Sequence, residues 1–358
     1  MTTGIARLAA AVFSAALAVT PLSAQFGPEP DFTVTSAERA KVIENSIVRL
    51  REIYVHRETA KKMGEAVRAR ALRGEYDRIT SAKELADTLT RDFREVSKDG
   101  HLFVRYTNSV LPDAPFNAPP APEEFERQRA FAAKLNYGFE KVERLQGNVG
   151  YIDVRGFIPP EVGGETAAAA MTFVSNTDAL IIDLRFNGGG EPSMIAFLTS
   201  YLFDEPTHLN DIYTRYNDST HQWWTSAYVP GRRFGKSKPV YVLTSSRSFS
   251  AAEEFAYNLK NLKRGTIVGE TTGGGAHEVN GAKVSDHFEI GVPYARAINP
   301  ITKTNWEGVG VQPDVSVAAP QAFDTAYVLA LETIVATTTD PARRAGLQRV
   351  LDEKKQKK

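Results

Sequence analysis

The 358-residue sequence contains no cysteine. Disulfides, cysteine metal sites and thiol nucleophiles are excluded together. Neither sign of charge is in excess: 43 Lys and Arg face 43 Asp and Glu, with a pI near 7.0. No overall basic field therefore points to nucleic acid. A run of membrane-spanning length is also missing. The N-terminal apolar stretch "LAAAVFSAALAV" covers only Leu8 to Val19, whereas a bilayer takes about 20 residues. A short apolar core, broken by Pro21 and followed by "LSA", reads as a secretory signal cut after Ala24. The expected mature chain begins at Gln25 and is exported, to the periplasm or beyond the cell, with no stable membrane span.

What is present is ordinary globular composition, 42% hydrophobic and 10% aromatic, on a chain long enough for one large domain or two smaller ones. Four regions are expected: the signal segment 1–24, an N-terminal helical bundle with a proline-rich crossing over 25–135, an α/β core over 136–320, and a C-terminal helix with a basic tail over 321–358. In the bundle, Val42, Ile43, Ile47, Leu50 and Ile53 recur three and four apart, the period of an amphipathic helix. "NSVLPDAPFNAPPAPEEFERQ" is proline-rich and is expected to be irregular. Beyond Tyr137, "GNVGYIDVRGF", "ALIIDLRF", "PVYVLTS" and "GTIVGE" are short branched runs suited to buried strands. Helices fit at 191–203 and 251–263. That alternation predicts a mostly parallel sheet. A last helix near "FDTAYVLALETIVAT" leads to the charged tail "EKKQKK".

In such a sheet, chemistry gathers where strand ends meet helix starts. One junction, "LIIDLRFNGGGEPS", offers bare backbone N–H groups at Gly188 and Gly189, suited to an anion or an oxyanion. Another, "YVLTSSRSFSAAEEF", crowds four serines before a helix. Ser250-Ala251-Ala252-Glu253 is a capping box, and it is also a position where a nucleophile sits beside the amide of Ala251. A serine needs a base. Six histidines are available: His56, His101, His208, His221, His277 and His287. His101, in "SKDGHLFV", follows a helix end, and His277 follows the glycine-rich "GETTGGGA".

These segments resemble the tail-specific, or carboxy-terminal processing, serine peptidases, in the branch of the tricorn core and interphotoreceptor retinoid-binding protein. The likeness runs in order through "DGHL", "GFEKVERLQGNVGYIDVRGF", "LIIDLRFNGGG", "LTSSRSFSAAEEFAY", "VGETTGGGA" and "NWEGVGVQPDV". It implies a crotonase/ClpP-like α/β core, with Ser250 as nucleophile and His101 as base. It also implies Glu307 as the group orienting that base, and an oxyanion hole from Gly188 or Gly189 with Ala251. His277 is the rival base or a substrate-binding group. Two departures stand out. The lysine base of the other branch would fall on Gly275, and the serine preceding the histidine in the tricorn type is Gly100 here. Only residues 105 to 136 separate Val104 from Tyr137, too few for a PDZ module of roughly 80–100 residues, an ordinary small-domain size.

The expected function is a secreted or periplasmic serine endopeptidase acting on polypeptide or peptide substrates through an acyl-enzyme. No cofactor or metal is expected, and no nucleic-acid partner. The alternatives are a non-catalytic hydrophobic-ligand-binding protein on the same fold and a crotonase-like acyl-transfer enzyme.

Overall fold

The computed structural model describes residues 30–356, so the expected signal segment lies outside the described residues. Three helices open the chain: α1 (Ser36–Ile53), α2 (Arg57–Leu72) and α3 (Ala82–Ser97). Thr35 and Ser81 start the first and third, their hydroxyls accepting the N–H groups of Glu38 and Glu84 at 3.1 and 3.0 Å. Leu85, Leu89 and Phe93, spaced four apart along α3, are fully buried, and each burial stabilises by roughly 1.5–3 kcal/mol. Lys98, at φ 58°, ends α3 in the left-handed conformation. The chain then turns through Asp99-Gly100-His101 into β1 (Phe103–Tyr106).

The proline-rich crossing is irregular over 107–121 and then forms a helix the sequence reading did not foresee, α4 (Pro122–Lys134). Pro122 sits in the first turn, where no N–H is needed, and Glu123 and Glu124 face the positive end of the helix dipole. The core follows as β2 (Phe139–Leu145), β3 (Val149–Val154), α5 (Pro160–Val174), β4 (Ala179–Asp183), α6 (Pro192–Thr199), β5 (His208–Thr214) and β6 (Ser219–Trp224). It continues through β7 (Val240–Thr244), α7 (Ala251–Asn261), β8 (Thr266–Gly269), β9 (His277–Lys283), β10 (Phe288–Ile298) and β11 (Val315–Ser316), and closes with α8 (Ala319–Thr337) and α9 (Pro341–Gln356).

A six-stranded sheet has the order β11-β8-β7-β4-β3-β2, with every pairing parallel except that of β2 with β3. Its side chains alternate between two faces. Val149, Tyr151, Ala179, Ile181, Tyr241 and Leu243 pack with α8 and α9. Ile152, Val154, Leu180, Ile182, Val240 and Val242 join the larger core, with residues of α5, α6 and α7. Burial on both faces explains why these strands read as unbroken apolar runs.

A second sheet, not anticipated from the sequence, is antiparallel throughout: β1-β10-β5-β6, with β9 also on β10. It joins the bundle to the core. Phe103 lies opposite Gly291, the Asn45 amide donates to the Val284 carbonyl at 2.7 Å, and the Val55 N–H donates to the Pro293 carbonyl at 2.8 Å. Bundle and core residues share one continuous hydrophobic cluster. The tail is helical as far as Gln356, because Leu347 and Leu351 are buried on one side of α9.

Candidate active site

β4 and β7 are neighbours and parallel, so the loops leaving them emerge side by side at one sheet edge. Side chains lock the two loops together. Ser245 Oγ donates to the Arg185 carbonyl at 2.5 Å and Ser248 Oγ to the Leu184 carbonyl at 2.7 Å. The Phe249 N–H donates to the Asn187 carbonyl at 3.1 Å. Two of the four serines are thus committed to structure, and a third, Ser246, faces Glu270, its N–H donating to Oε2 at 3.2 Å.

Ser250 is different. It adopts φ 57° and ψ −120°, a strained setting for a residue with a Cβ and the kind of elbow that lifts a nucleophile off a strand–helix turn. Ser250 and Glu253 form a capping box at the start of α7: Glu253 Oε2 accepts the Ser250 N–H at 2.9 Å, and the Glu253 N–H donates to the Ser250 carbonyl at 2.9 Å. Glu253 also accepts from Thr272 Oγ1 (2.5 Å) and from the N–H groups of Gly274 (2.7 Å) and Gly275 (2.8 Å). Burial pushes its carboxyl up to about 7 against these four donors. The glutamate thus ties the start of α7 to the 272–275 loop.

Gly189 lies against this turn. A Cβ there would stand 2.8 Å from Ser250 Cβ and 3.3 Å from the Ala251 nitrogen, at a φ of 122°, so only glycine allows the approach. The Gly189 N–H donates to Asn187 Oδ1 at 2.8 Å. The N–H groups of Gly188 and Ala251 make no hydrogen bond among the described residues.

His101 is 5% exposed, and its ring lies on that of Phe249, the residue before Ser250, at a centroid distance of 4.5 Å. Neither of its ring nitrogens has a partner. Burial pushes the imidazole down to about 4, with His277 and Arg94 adding to that effect and Asp99 opposing it. A Cβ at Gly275 would meet His101 Cε1 at 2.6 Å and Phe249 Cζ at 2.2 Å. The space a lysine at 275 would enter is therefore filled by these two rings.

Glu307 does not hydrogen-bond to His101. Its Oε2 accepts the Ala276 N–H at 2.6 Å and lies 3.6 Å from His277 Nδ1. The carboxylate beside His101 is Asp99, whose Oδ1 accepts the His101 backbone N–H at 2.9 Å. Asp99 Oδ2 accepts from Tyr54 Oη at 3.0 Å and lies 2.7 Å from His277 Nδ1. Burial alone would lower the His277 pKa, but the hydrogen bond and charge of Asp99, with Glu307 behind, carry it above its ordinary value. Asp99 is correspondingly held down, its own burial outweighed chiefly by His277. Burial raises Glu307 to about 7. Donor atoms of Asp99, His277 and Glu307 lie within 4.8 Å of one another. The 2.7 Å contact is a hydrogen-bond distance, so Asp99 and His277 are engaged with each other, with Glu307 3.6 Å from the same nitrogen.

The structure therefore brings Ser250, Ala251, Gly188 and Gly189 to one turn, sets His101 on the residue beside it, and groups Glu307 with His277. In the sequence, Asp99 stands out only as part of the segment "DGHL". Its partners Tyr54 and His277 are 45 and 178 residues away, and no local signal joins them.

Comparison with known proteins agrees with this architecture. The profile of peptidase family S41 matches residues 148–317, and that of the N-terminal domain of S41 in eukaryotic IRBP matches residues 33–139. The chain belongs to peptidase family S41. The tricorn protease of Thermoplasma volcanium is 27% identical over 207 residues, which make up 55% of this chain and 18% of that protein; the chain thus spans under a fifth of that relative's length. Among solved structures, a Parabacteroides merdae protein assigned as a peptidase superposes with a TM-score of 0.56 at 20% identity, over 82% of this chain and 96% of that one. The tricorn protease superposes with a TM-score of 0.53 at 13% identity, over 90% and 37%. These likenesses place the S41 fold across both the bundle and the α/β core.

Proposed function

We propose that this S41 chain is an exported serine endopeptidase that cleaves polypeptides through an acyl-enzyme on Ser250. The observation that carries the reading is the strained Ser250 at the start of α7, packed against Gly189 and with the unpaired N–H of Ala251 beside it. Ser250 Oγ attacks the scissile carbonyl carbon and passes its proton to an imidazole nitrogen of His101. The carbonyl oxygen becomes an oxyanion facing the N–H groups of Ala251 and Gly188. Such donors typically contribute about 2.7–4 kcal/mol each to the transition state. The C–N bond then breaks, and the amine leaves with the proton returned by His101. Water hydrolyses the ester by the same steps in reverse order. The positive end of α7 also favours the developing charge.

His101 is proposed as base because its ring lies beside Ser250's neighbour and both its nitrogens, though buried, have no hydrogen-bond partner. His277 is engaged with Asp99 and surrounded by Tyr54 and His56; we assign it, with Asp99, to holding the His101 loop. Glu307 acts through His277 in this scheme. Export rests on the segment before Gln25, and sequencing the N-terminus of exported protein tests it.

The decisive experiment is fluorophosphonate labelling of purified protein, with the adduct mapped by mass spectrometry. Labelling at Ser250, lost in Ser250→Ala together with a fall in turnover on the order of 10³–10⁶, is the expected result. Capping alone would cost about 1 kcal/mol of stability and no activity. A Ser250→Ala protein that turns over normally but melts lower would overturn the proposal.

A further inference from the structure

At the opposite edge of the six-stranded sheet, where β7 and β8 begin, a cleft of about 830 Å³ opens between the segment 236–240, the C-terminal end of α7 and the end of α8. Its size lies in the range of small-molecule sites, about 300–1,000 Å³. No step of the proposed peptidase reaction uses it, since the nucleophile stands at the other end of α7.

The charges lining it do not balance. Three carboxylates face six cations, and each carboxylate already has a partner. Asp314 pairs with Lys260 at 2.6 Å, Asp178 pairs with Arg343, and Asp340 Oδ1 accepts the Ala342 N–H at 3.1 Å. The remaining cations have no carboxylate of the cleft. Lys238 donates to the Ser175 carbonyl at 2.6 Å, with its ammonium over the Phe234 ring at 4.0 Å. Arg264, 8% exposed, donates to the carbonyls of Leu202 and Gly235, each at 2.7 Å. Lys236 reaches only Glu205, at 3.7 Å, and Lys263 has no ion pair among the described residues.

Main-chain carbonyls satisfy the geometry of these donors but do not neutralise their charge, and charge taken from water without a counter-ion is costly. The buried Arg264 and the half-buried Lys238 show it. Burial lowers Arg264 to about 10 against the attraction of Asp204, and Lys238 is also lowered, first by burial, with Arg232 and Arg264 repelling it against the attraction of Asp178. The helix dipole accounts for Lys260 in the last turn of α7. It does not account for Lys236 and Lys238, which precede a strand.

We propose that this cleft is a binding site for a small multivalent anion, a phosphate ester or a polycarboxylate, held by Lys236, Lys238, Lys263 and Arg264. Thr337, Thr338 and Thr339 line the cleft as well; the hydroxyls of the first two donate to the Thr333 and Ile334 carbonyls. The site is independent of whether Ser250 is a nucleophile.

The test is calorimetric titration of the intact protein with sodium tripolyphosphate and, separately, with citrate, at low ionic strength. Variants are Lys238→Met, which keeps the stem over Phe234, and the double variant Lys236→Ser with Lys263→Asn; asparagine suits the left-handed backbone at 263, φ 52°. The expected result is binding of at least one anion, weakened on the order of tenfold by each variant, which corresponds to about 1.4 kcal/mol. Fluorophosphonate labelling at Ser250 should be unchanged in the same proteins. Tripolyphosphate alone marks a phosphate site, citrate alone a carboxylate site. No binding of either at about 1 mM, where the free energy would be only about 4 kcal/mol, overturns the proposal. So does binding of equal strength in wild type and variants.

Discussion

Asp99 Oδ2 lies 2.7 Å from His277 Nδ1, and the other oxygen of the same carboxylate accepts the backbone N–H of His101 at 2.9 Å. One buried carboxylate thus holds two histidines by different means: one through its ring, the other through its main chain. The ring of His101 is left open, and this arrangement separates the two candidates for the base.

The acid limb of the pH profile should distinguish them. A base works when neutral, so activity rises as pH climbs through its folded pKa. Burial takes His101 down to about 4, whereas Asp99 and Glu307 carry His277 above its usual value despite burial. For His101 as base, kcat/KM should rise with a midpoint below the unperturbed histidine value of about 6.5. His101→Ala should lose about 10²–10⁴ in kcat, and the double variant with Ser250→Ala should be scarcely worse than either. A midpoint above 6.5 that disappears in His277→Gln would transfer the role to His277.

Asp99 and Glu307 should differ in what they cost. Asp99→Asn removes the charge from a pair buried to 1% and 3% side-chain exposure, and breaking such a pair typically costs about 3–5 kcal/mol. Glu307 lies 3.6 Å away with 20% of its side chain exposed, so Glu307→Gln should cost clearly less. Urea unfolding of both variants measures this. Equal losses, or a larger one for Glu307→Gln, would contradict the central place given to Asp99.

Stability should fall as pH rises from about 6.5 to 8. Burial raises Glu253 and Glu307 to about 7 and Glu254 to about 8. The folded state therefore keeps protons that the unfolded chain sheds above about 4.5, and it loses their contribution as pH passes through the folded values. His277, also raised, acts in the same direction. His101 and His56, both lowered by burial, act oppositely, but only below the unfolded histidine value near 6.5. In Glu254→Gln the decline in Tm over this window should be shallower, since amide cannot titrate. A Tm that climbs across the window would show that the carboxyls are ionised in the fold.

Much of the α/β core was legible because its signals are local. β3, β4, β7 and β8 are continuous apolar runs ending in glycine or serine turns, and Ser250 stands at the start of the helix its neighbours propose. The antiparallel sheet was not legible. β9, "HEVNGAK", carries Asn, Gly and Lys and has little strand character of its own; its pairing with β10 makes it a strand. α4 was hidden by the prolines that precede it, although Pro122 at its first turn favours a helix start. In the site, residue types pointed to Ser250 as candidate nucleophile and to the glycine turn that lies against it. The partner of His277 could not be read, because Asp99 reaches it only through the way the bundle meets the sheet.

The rings of His101 and Phe249 occupy the volume into which a side chain at 275 would project. Within this backbone the His101 ring and a long side chain at 275 are mutually exclusive tenants of a single space, one entering from the bundle and one from the loop before β9. A Gly275→Lys chain would have to vacate the histidine or rebuild the loop that joins bundle to core.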